Sequence, residues 1–356
     1  MRSLDRTILL LAALLVAGHQ HAQDASLVPE LRRSFATASN DTLRADALVR
    51  ICFNLIRSDP DSARLVGEQA MTLAKRINNP RALGDAHNNL GWLAAEQGQF
   101  ARADSLLNIA LSIFNRIGKP EYTSTTISNL GWLAEKKGDS VGALKRFQEA
   151  LMLSEQAGDS ATSSILLYSI GIAYRKIQDY PKAFENLQRS QRMERALHRR
   201  GKEANCTVAL ANTYREKGDT VAAVEAYTEA ITIYSVLRDH QGWGITEENL
   251  GDLRSSAPRQ ALTHYLTALA HYDSIHSAID KAYVLQRIGR AQLELGQLKE
   301  AEASMKEGLA LSVDAGDPQL TLEYEMGLAR LAAKKGDAEG AMRHFDRYTA
   351  MKDSLQ

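Results

Sequence analysis

A small residue recurs along this chain at an almost constant interval. These positions, which we call the small-residue column, are Gly91, Gly131, Gly171, Ala211, Gly251, Gly289 and Ala329. Five of the six intervals are 40 residues and one is 38. A period of this length indicates a stack of similar supersecondary units, each packing only on its neighbours. The chain is therefore predicted to be a solenoid, a fold that forms binding surfaces more often than active sites.

Two further columns share this period and predict a second helix in each unit. A small residue recurs twelve positions after the small-residue column, and a large apolar residue four positions later. The members are Ala103, Ala143, Ala183, Ala223, Ala301 and Ala341, with Ala261 in the unit that is two residues shorter, and then Leu107, Phe147, Leu187, Tyr227, Tyr265, Met305 and Phe345. A spacing of four keeps both columns on one helix face. We expect the small residue of the first helix to face the alanine of the second, with the large residue filling the space toward the following unit.

Turn residues and prolines mark the ends of the predicted helices. A glycine followed by a polar residue, as in Gly138-Asp139, suits a helix end with positive φ and the cap of the next helix. The prolines fall at two kinds of boundary: Pro60, Pro181 and Pro258 at the expected start of the second helix, and Pro80, Pro120 and Pro318 between units, where a helix must stop. No proline falls inside a predicted helix.

The fold class predicted from these columns is all-α, a right-handed α-solenoid of about eight antiparallel helix pairs. The predicted repeats are 41–80, 81–120, 121–160, 161–200, 201–240, 241–278, 279–318 and 319–356, which together form one solenoid over 41–356. Residues 23–40 are predicted to be an N-terminal segment with a short capping helix from Pro29 to Ala38. Asn40 or Asp41 is expected to cap the helix that follows.

Residues 1–22 are predicted to be a signal peptide. Arg2 and Arg6 precede an apolar run over 8–18, and the segment ends at Ala22. A basic start, a short apolar run and a small residue are typical of secretory signals, and the run is too short to span a bilayer comfortably. We therefore predict an exported, periplasmic protein without a direct membrane span after signal cleavage.

Composition and motif content disfavour several functional classes. The 43 basic and 43 acidic residues give no net charge, which argues against nucleic-acid binding. Cys52 and Cys206 fall four units apart, too far for a disulfide, and are expected to be core residues. Metalloprotease, nucleophile-elbow, phosphate-loop and dinucleotide-binding motifs do not occur. We predict no catalytic residues, no metal site and no cofactor.

The columns resemble the tetratricopeptide repeat, whose signature is W-x2-L-G-x2-Y…A-x3-F…P. The matching residues are Ile170, Gly171, Tyr174 and Ala183 in the fourth unit and Leu130, Gly131, Ala143, Phe147 and Ala150 in the third. The 40-residue period departs from the usual 34 and is similar to the longer-helix variant of Rap-type regulators and kinesin light chains. That resemblance implies binding of peptides or protein domains.

Three shorter segments resemble the extracytoplasmic repeat regions of membrane sensor histidine kinases, especially those of Bacteroidetes. They are Asn40-Asp41-Thr42-Leu43-Arg44, Asp59-Pro60-Asp61-Ser62-Ala63 and the closing Tyr348…Lys352-Asp353-Ser354-Leu355. In that family a transmembrane helix and a kinase or DNA-binding module follow, and neither is found within this sequence. The resemblance implies an alternative function, the sensory input region of a two-component signalling protein that is truncated or separate from its transmitter.

Candidate binding residues lie on the first helices, which line the inner curve of such a solenoid. Positions −3, +1 and +4 from the small-residue column should point into that concave groove, and asparagine recurs at position −2. The predicted binding residues are Asn89, Trp92, Asn129, Trp132, Tyr168, Arg175, Asn212, Arg215, Asn249, Arg290 and Arg330.

Each group of candidates has a functional and a structural interpretation. Trp92 and Trp132 would anchor an apolar partner, or else fill gaps between neighbouring first helices. The asparagines at position −2 would hold an extended peptide backbone, or else bond a neighbouring helix. The arginines would receive acidic groups, or else form a solvated face balanced by Glu248 and Asp252.

The leading functional prediction is an exported, non-enzymatic scaffold that binds a protein or peptide partner in its concave groove. Terminal repeats of a solenoid normally carry a polar outer face. The last predicted helix ends with Tyr348 and Leu355 and lacks such a capping helix. We therefore expect either self-association through the C-terminal repeat or a missing continuation of the solenoid.

Overall fold

The computed structural model describes residues 25–354. These residues form a 3₁₀ turn at Ala25–Leu27 and 17 α-helices, and no strand occurs among them. The helices are α1 (Val28–Thr37), α2 (Asp41–Leu55), α3 (Pro60–Arg76), α4 (Pro80–Glu96), α5 (Phe100–Ile117), α6 (Pro120–Lys136), α7 (Ser140–Gln156), α8 (Ser160–Lys176), α9 (Tyr180–Ala196), α10 (Arg200–Lys217), α11 (Thr220–Leu237), α12 (His240–Leu253), α13 (Pro258–Ser274), α14 (Ala278–Glu294), α15 (Leu298–Asp314), α16 (Pro318–Lys335) and α17 (Ala338–Ser354). The predicted all-α class is confirmed.

The chain divides into two compact units, one up to Met193 and one from Glu194 onward. In the first unit α2 packs on α3, α4 on α5 and α6 on α7, and each pair also packs on the next. In the second unit α10 packs on α11, α12 on α13, α14 on α15 and α16 on α17, again in succession. Loops of two to four residues join consecutive helices, so neighbours run antiparallel. Each unit is thus a stack of helix pairs, which confirms the predicted solenoid fold class; one solenoid running over 41–356 stays a prediction.

Side-chain caps and prolines set the helix starts. The Oδ1 atom of Asn40 accepts a hydrogen bond from the Leu43 amide at 3.0 Å, which caps α2. Pro80, Pro120 and Pro318 are the first residues of α4, α6 and α16. As predicted, the preceding helix stops before each of these prolines, at Arg76, Ile117 and Asp314. Each opens the following helix, where the missing N–H would have had no helical partner.

The small-residue column makes room for the large column of its own helix pair. A β-carbon at Gly131 would lie 2.6 Å from Cε1 of Phe147, and one at Gly171 would lie 2.6 Å from Cγ of Leu187. The expected alanine also lies beside the glycine, since the Ala183 carbonyl is 3.3 Å from a β-carbon at Gly171, but the larger side chain of the second helix lies closer. The same large residue also packs toward the following pair, as Phe147 does in the cluster that contains Ile170.

Four further predictions concern the signal peptide, a membrane span, the two cysteines and the N-terminal capping helix. The predicted signal peptide, residues 1–22, lies outside the described residues. None of the described helices combines the length and apolar character needed to cross a membrane. Cys52 and Cys206 are buried free thiols, as predicted. The predicted N-terminal capping helix corresponds to α1, whose Val28 and Leu31 are buried in one cluster with Leu55.

Candidate functional site

The residue that follows the small-residue column is more exposed than the column itself. Gly91 is buried and Trp92 is half-buried; Gly289 is buried and Arg290 is exposed. This follows from helix geometry, because adjacent residues point about 100° apart around the axis. We call the predicted residues at positions −3, +1 and +4 the first-helix face. Its members are Trp92, Trp132, Tyr168 and Arg175 in the first unit and Asn212, Arg215, Arg290 and Arg330 in the second.

Trp92 and Trp132 are half-buried residues of α4 and α6 in the first unit. Trp92 packs against the apolar cluster that includes Leu90 and Leu93. Trp132 meets the ring of Phe147 edge-on, with ring centroids 5.4 Å apart. Part of each indole therefore fills space between helices, and part remains open to a partner.

The three asparagines at position −2 bond to neighbouring helices. The Nδ2 atom of Asn89 donates to the Val49 carbonyl at 2.9 Å, and that of Asn129 donates to Asn88 Oδ1 at 3.0 Å. In the second unit Asn249 Oδ1 accepts from Arg215 Nη1 at 3.5 Å. Asn89 is also buried. These contacts favour the structural interpretation of this column, in which the amides join successive repeats.

The remaining candidates outside the last two repeats are half-buried. Tyr168 and Arg175 lie on α8, and Asn212 and Arg215 lie on α10. The Tyr227 hydroxyl donates to Asn212 Oδ1 at 2.5 Å, which ties the asparagine to α11. These side chains therefore contribute to helix packing as well as to the surface.

In the second unit, the acidic residues Glu248 and Asp252 of α12 belong to a polar network with Arg287 and Tyr272. Arg287 Nε donates to Asp252 Oδ1 at 3.1 Å, and its Nη1 lies 3.4 Å from Glu248 Oε1. The Tyr272 hydroxyl donates to Glu248 Oε2 at 2.6 Å. Burial raises the pKa of Glu248 despite these partners. Glu248 and Asp252 therefore pair with Arg287, and the interpretation in which they balance the exposed arginines is corrected.

Arg290 and Arg330 border a pocket between the last two helix pairs. The pocket has a volume of about 460 Å³, and Tyr348 and Lys352 of α17 also line it. Within residues 25–354, neither arginine makes an ion pair or a side-chain hydrogen bond. We call this site the cationic pocket, defined by Arg290, Arg330, Tyr348 and Lys352.

The columns did not predict the contribution of α17 to this pocket. Tyr348 and Lys352 belong to a second helix, whereas the prediction placed every binding residue on a first helix. The Lys352 ammonium lies 5.9 Å from the centre of the Tyr348 ring. The sequence had marked both residues only through the resemblance of the closing segment, and their spacing of four residues was a further signal for an aromatic–cation pair.

The described residues were also compared with the arrangement that a metal ion requires. No group of three or more His, Cys, Asp or Glu side chains is placed there to hold an ion.

Comparison with known proteins identifies the repeat. Tetratricopeptide repeat models match residues 83–156, 162–235 and 282–312, about half of the chain. No curated protein matches the chain in sequence.

Solved structures show the same fold at low sequence identity. A signal transduction ATPase with numerous domains and a tetratricopeptide repeat sensor, from Pyrococcus horikoshii, is 14% identical with a TM-score of 0.64; the match covers 91% of this chain and 51% of that one. NprR in complex with its cognate peptide NprX is 15% identical, with a TM-score of 0.53 and coverage of 85% and 88%. Aspartyl phosphate phosphatase F from Bacillus subtilis is 13% identical, with a TM-score of 0.57 and coverage of 89% and 95%. The family models, the column pattern and the stacked helix pairs agree, and the chain belongs to the tetratricopeptide repeat family.

Proposed function

We propose that this protein is an exported, non-enzymatic scaffold whose first-helix face binds a protein or peptide partner. Helix-pair solenoids present extended surfaces suited to such recognition. One protein of similar fold, NprR, has been solved in complex with its cognate peptide. That likeness, at 15% identity, supports the class of function and not the identity of the partner.

The observation that carries this proposal is the state of the two tryptophans of the first unit. Trp92 and Trp132 are each held by core packing and yet remain partly exposed. A large aromatic side chain that is fixed before binding loses little conformational freedom in a complex. Aromatic anchors of this kind dominate the binding energy of many interfaces.

Affinity chromatography of a periplasmic extract tests this role. The immobilised protein should retain one or a few proteins or peptides, and the Trp92→Ala/Trp132→Ala variant should lose them. Trp243→Ala is the matched control, because it removes an indole that lies outside the first-helix face and packs on His271. Circular dichroism should show that all three proteins are folded. Equal retention by the double variant and the wild type would contradict the proposal.

Export and the absence of catalysis are separate parts of the proposal. Export rests on the basic and apolar pattern of residues 1–22, and mass spectrometry of the periplasmic protein should find a new N-terminus near Gln23. Detection of the full-length, uncleaved chain in the cytoplasm would contradict export.

The proposal of a scaffold without catalysis stands beside the likeness to aspartyl phosphate phosphatase F, and that likeness concerns the fold alone.

The second candidate function is the sensory input region of a two-component signalling protein. The segments that resemble extracytoplasmic regions of sensor histidine kinases favour it, as does the fold of the Pyrococcus horikoshii protein, which carries a tetratricopeptide repeat sensor. Inspection of the adjoining genes separates the two candidates. A transmembrane segment or kinase encoded downstream would favour the sensor, and an isolated gene would favour the scaffold.

A further inference from the structure

The cations of the cationic pocket lack the partners that nearby cations have. On α17, Arg343 Nη1 lies 3.1 Å from Glu339, and Arg347 Nη1 lies 3.7 Å from Glu325. On α16, Lys335 pairs with Glu302, and Lys334 donates to the Leu293 carbonyl at 2.6 Å. Most basic side chains of these two helices are therefore neutralised or bonded within the protein.

Arg290, Arg330 and Lys352 are exposed, and no acidic side chain in residues 25–354 pairs with them. Glu323 is the one carboxylate among the residues that line the pocket. The lining thus carries an excess of two positive charges in a chain whose net charge is zero. Such a local excess attracts anionic groups.

The pocket also has an apolar wall. Met305 and Tyr324 line it and are almost fully buried. The Tyr324 hydroxyl donates to the Ala282 carbonyl and is thereby occupied, so that the ring contributes mainly apolar surface. Leu322 and the half-buried Met326 add to this wall. A volume of about 460 Å³ lies within the range of roughly 300–1,000 Å³ that ligand pockets commonly have.

We propose that the cationic pocket binds an acidic peptide segment, with a carboxylate between Arg290 and Arg330 and a neighbouring apolar side chain against Met305 and Met326. Guanidinium groups offer paired donors that match a carboxylate, and Lys352 adds a third positive charge. Because the site is open to solvent, binding should weaken as salt is added. This inference rests on the proposed scaffold function and names the chemistry of its ligand.

Selection from random dodecapeptides displayed on phage tests the ligand class directly. The wild-type protein should enrich peptides with Asp or Glu beside Leu, Ile, Phe or Met. The Arg290→Gln/Arg330→Gln variant should lose that acidic preference. Arg259→Gln is the matched control, since Arg259 is an exposed cation of the same unit that does not line the pocket; it should select the same peptides as the wild type.

Fluorescence polarisation with the most enriched peptide then measures the contribution of each group. Each of Arg290→Gln and Arg330→Gln should weaken binding about tenfold or more, the range expected on loss of one charged hydrogen-bonding partner. The affinity of Arg290→Lys for the peptide should lie between those of the wild type and Arg290→Gln.

Three probes show which negative group of the ligand is bound. They are the peptide with an amidated C-terminus, the peptide with Gln in place of its acidic residue, and inorganic phosphate as competitor.

The outcomes separate this inference from the proposed function. Enriched peptides without an acidic preference, or unchanged affinity in both arginine variants, would overturn the carboxylate assignment and leave the scaffold function standing. If inorganic phosphate competes at concentrations similar to that of the peptide, the ligand of the pocket is a simple anion and the peptide assignment is overturned. No enrichment by the wild-type protein would overturn the peptide assignment, whereas the scaffold function is decided by the affinity chromatography with the tryptophan variant.

Discussion

At the scale of single residues, the glycines of the small-residue column are explained by the side chain opposite each of them. Gly251 is buried on α12, where a β-carbon would lie 2.6 Å from Cδ1 of Tyr265. The Tyr265 hydroxyl donates to Asp252 Oδ1 at 2.8 Å, which restricts movement of the ring. Glycine is therefore required here for space, although it is a poor helix former.

We predict that Gly251→Ala destabilises the protein. Alanine gains about 1 kcal/mol of helix propensity, while overpacking of a core costs about 1–3 kcal/mol. The expected net change is a loss of up to about 2 kcal/mol in the free energy of unfolding, measured by urea denaturation.

The matched control for this prediction is Gly327→Ala on α16. A β-carbon at Gly327 would lie 3.4 Å from the flexible end of Met305, which is an ordinary contact. This variant should be neutral or more stable by up to about 1 kcal/mol. Similar effects of the two substitutions would contradict the packing explanation.

At the scale of helices, the sequence predicted the elements well and the links between repeats poorly. Columns of period 40 locate helix pairs because glycine, alanine and proline have strong local preferences. The pairing of Arg287 with Glu248 and Asp252 was missed, because Arg287 lies in the next repeat and its long side chain reaches back across the pair. A bond from Asn89 to a neighbouring helix was one of the two predicted interpretations, but the columns did not identify the Val49 carbonyl as the acceptor.

An ion-pair cluster between α15 and α16 gives a pH prediction. Hydrogen bonds from Lys306 and Lys335 lower the pKa of Glu302 to about 2, against 4.5 for a free side chain. Because the folded pKa is the lower one, the stabilisation is complete above about pH 4.5 and is lost as the pH falls toward 2. Glu302→Gln should therefore lower Tm near neutral pH, and its difference from wild type should shrink on acidification.

The control for the pH prediction is Glu339→Gln on α17. Glu339 pairs with Arg343 at 3.1 Å but is highly exposed, so that solvent screens the pair. Its substitution should change Tm little at any pH. A Tm difference between Glu302→Gln and wild type that stays constant from pH 6 to pH 3 would count against the assigned pKa.

At the scale of the molecule, the last helix pair exposes an apolar surface that other repeats cover. Phe147 and Met305 are 1% and 3% exposed, whereas Phe345, in the same column, is 46% exposed and the nearby Met342 is 63% exposed. Met305 is covered by the following helix, in a cluster with Leu328. Among the described residues, no helix covers Phe345 in this way.

We propose that a second copy of this chain covers Phe345 and Met342. The surface is apolar and uncovered among the described residues, so it can be buried against the same surface of a second copy. At the N-terminal end α1 already lies against the first pair through Val28 and Leu31, which favours a symmetric contact between two C-terminal repeats.

Self-association is measured by light scattering after size exclusion. The wild type should form a dimer as concentration rises, and Phe345→Glu should remain a monomer of unchanged helicity. Val236→Glu is the control, because Val236 is an exposed apolar residue of α11 in the same unit; it should not alter dimerisation. A wild type that stays monomeric at every accessible concentration would contradict the proposal.

Photo-crosslinking in cells shows whether partners bind the first-helix face. Benzoylphenylalanine is introduced at Tyr168 in the first unit and, in the second, at the half-buried Met326, which occupies position −3 relative to Ala329. Val141 and Val221 serve as exposed positions on second helices. We predict partner crosslinks from Tyr168 or Met326 and none from the two valine positions. Crosslinks to a partner only from Val141 or Val221 would contradict the claim.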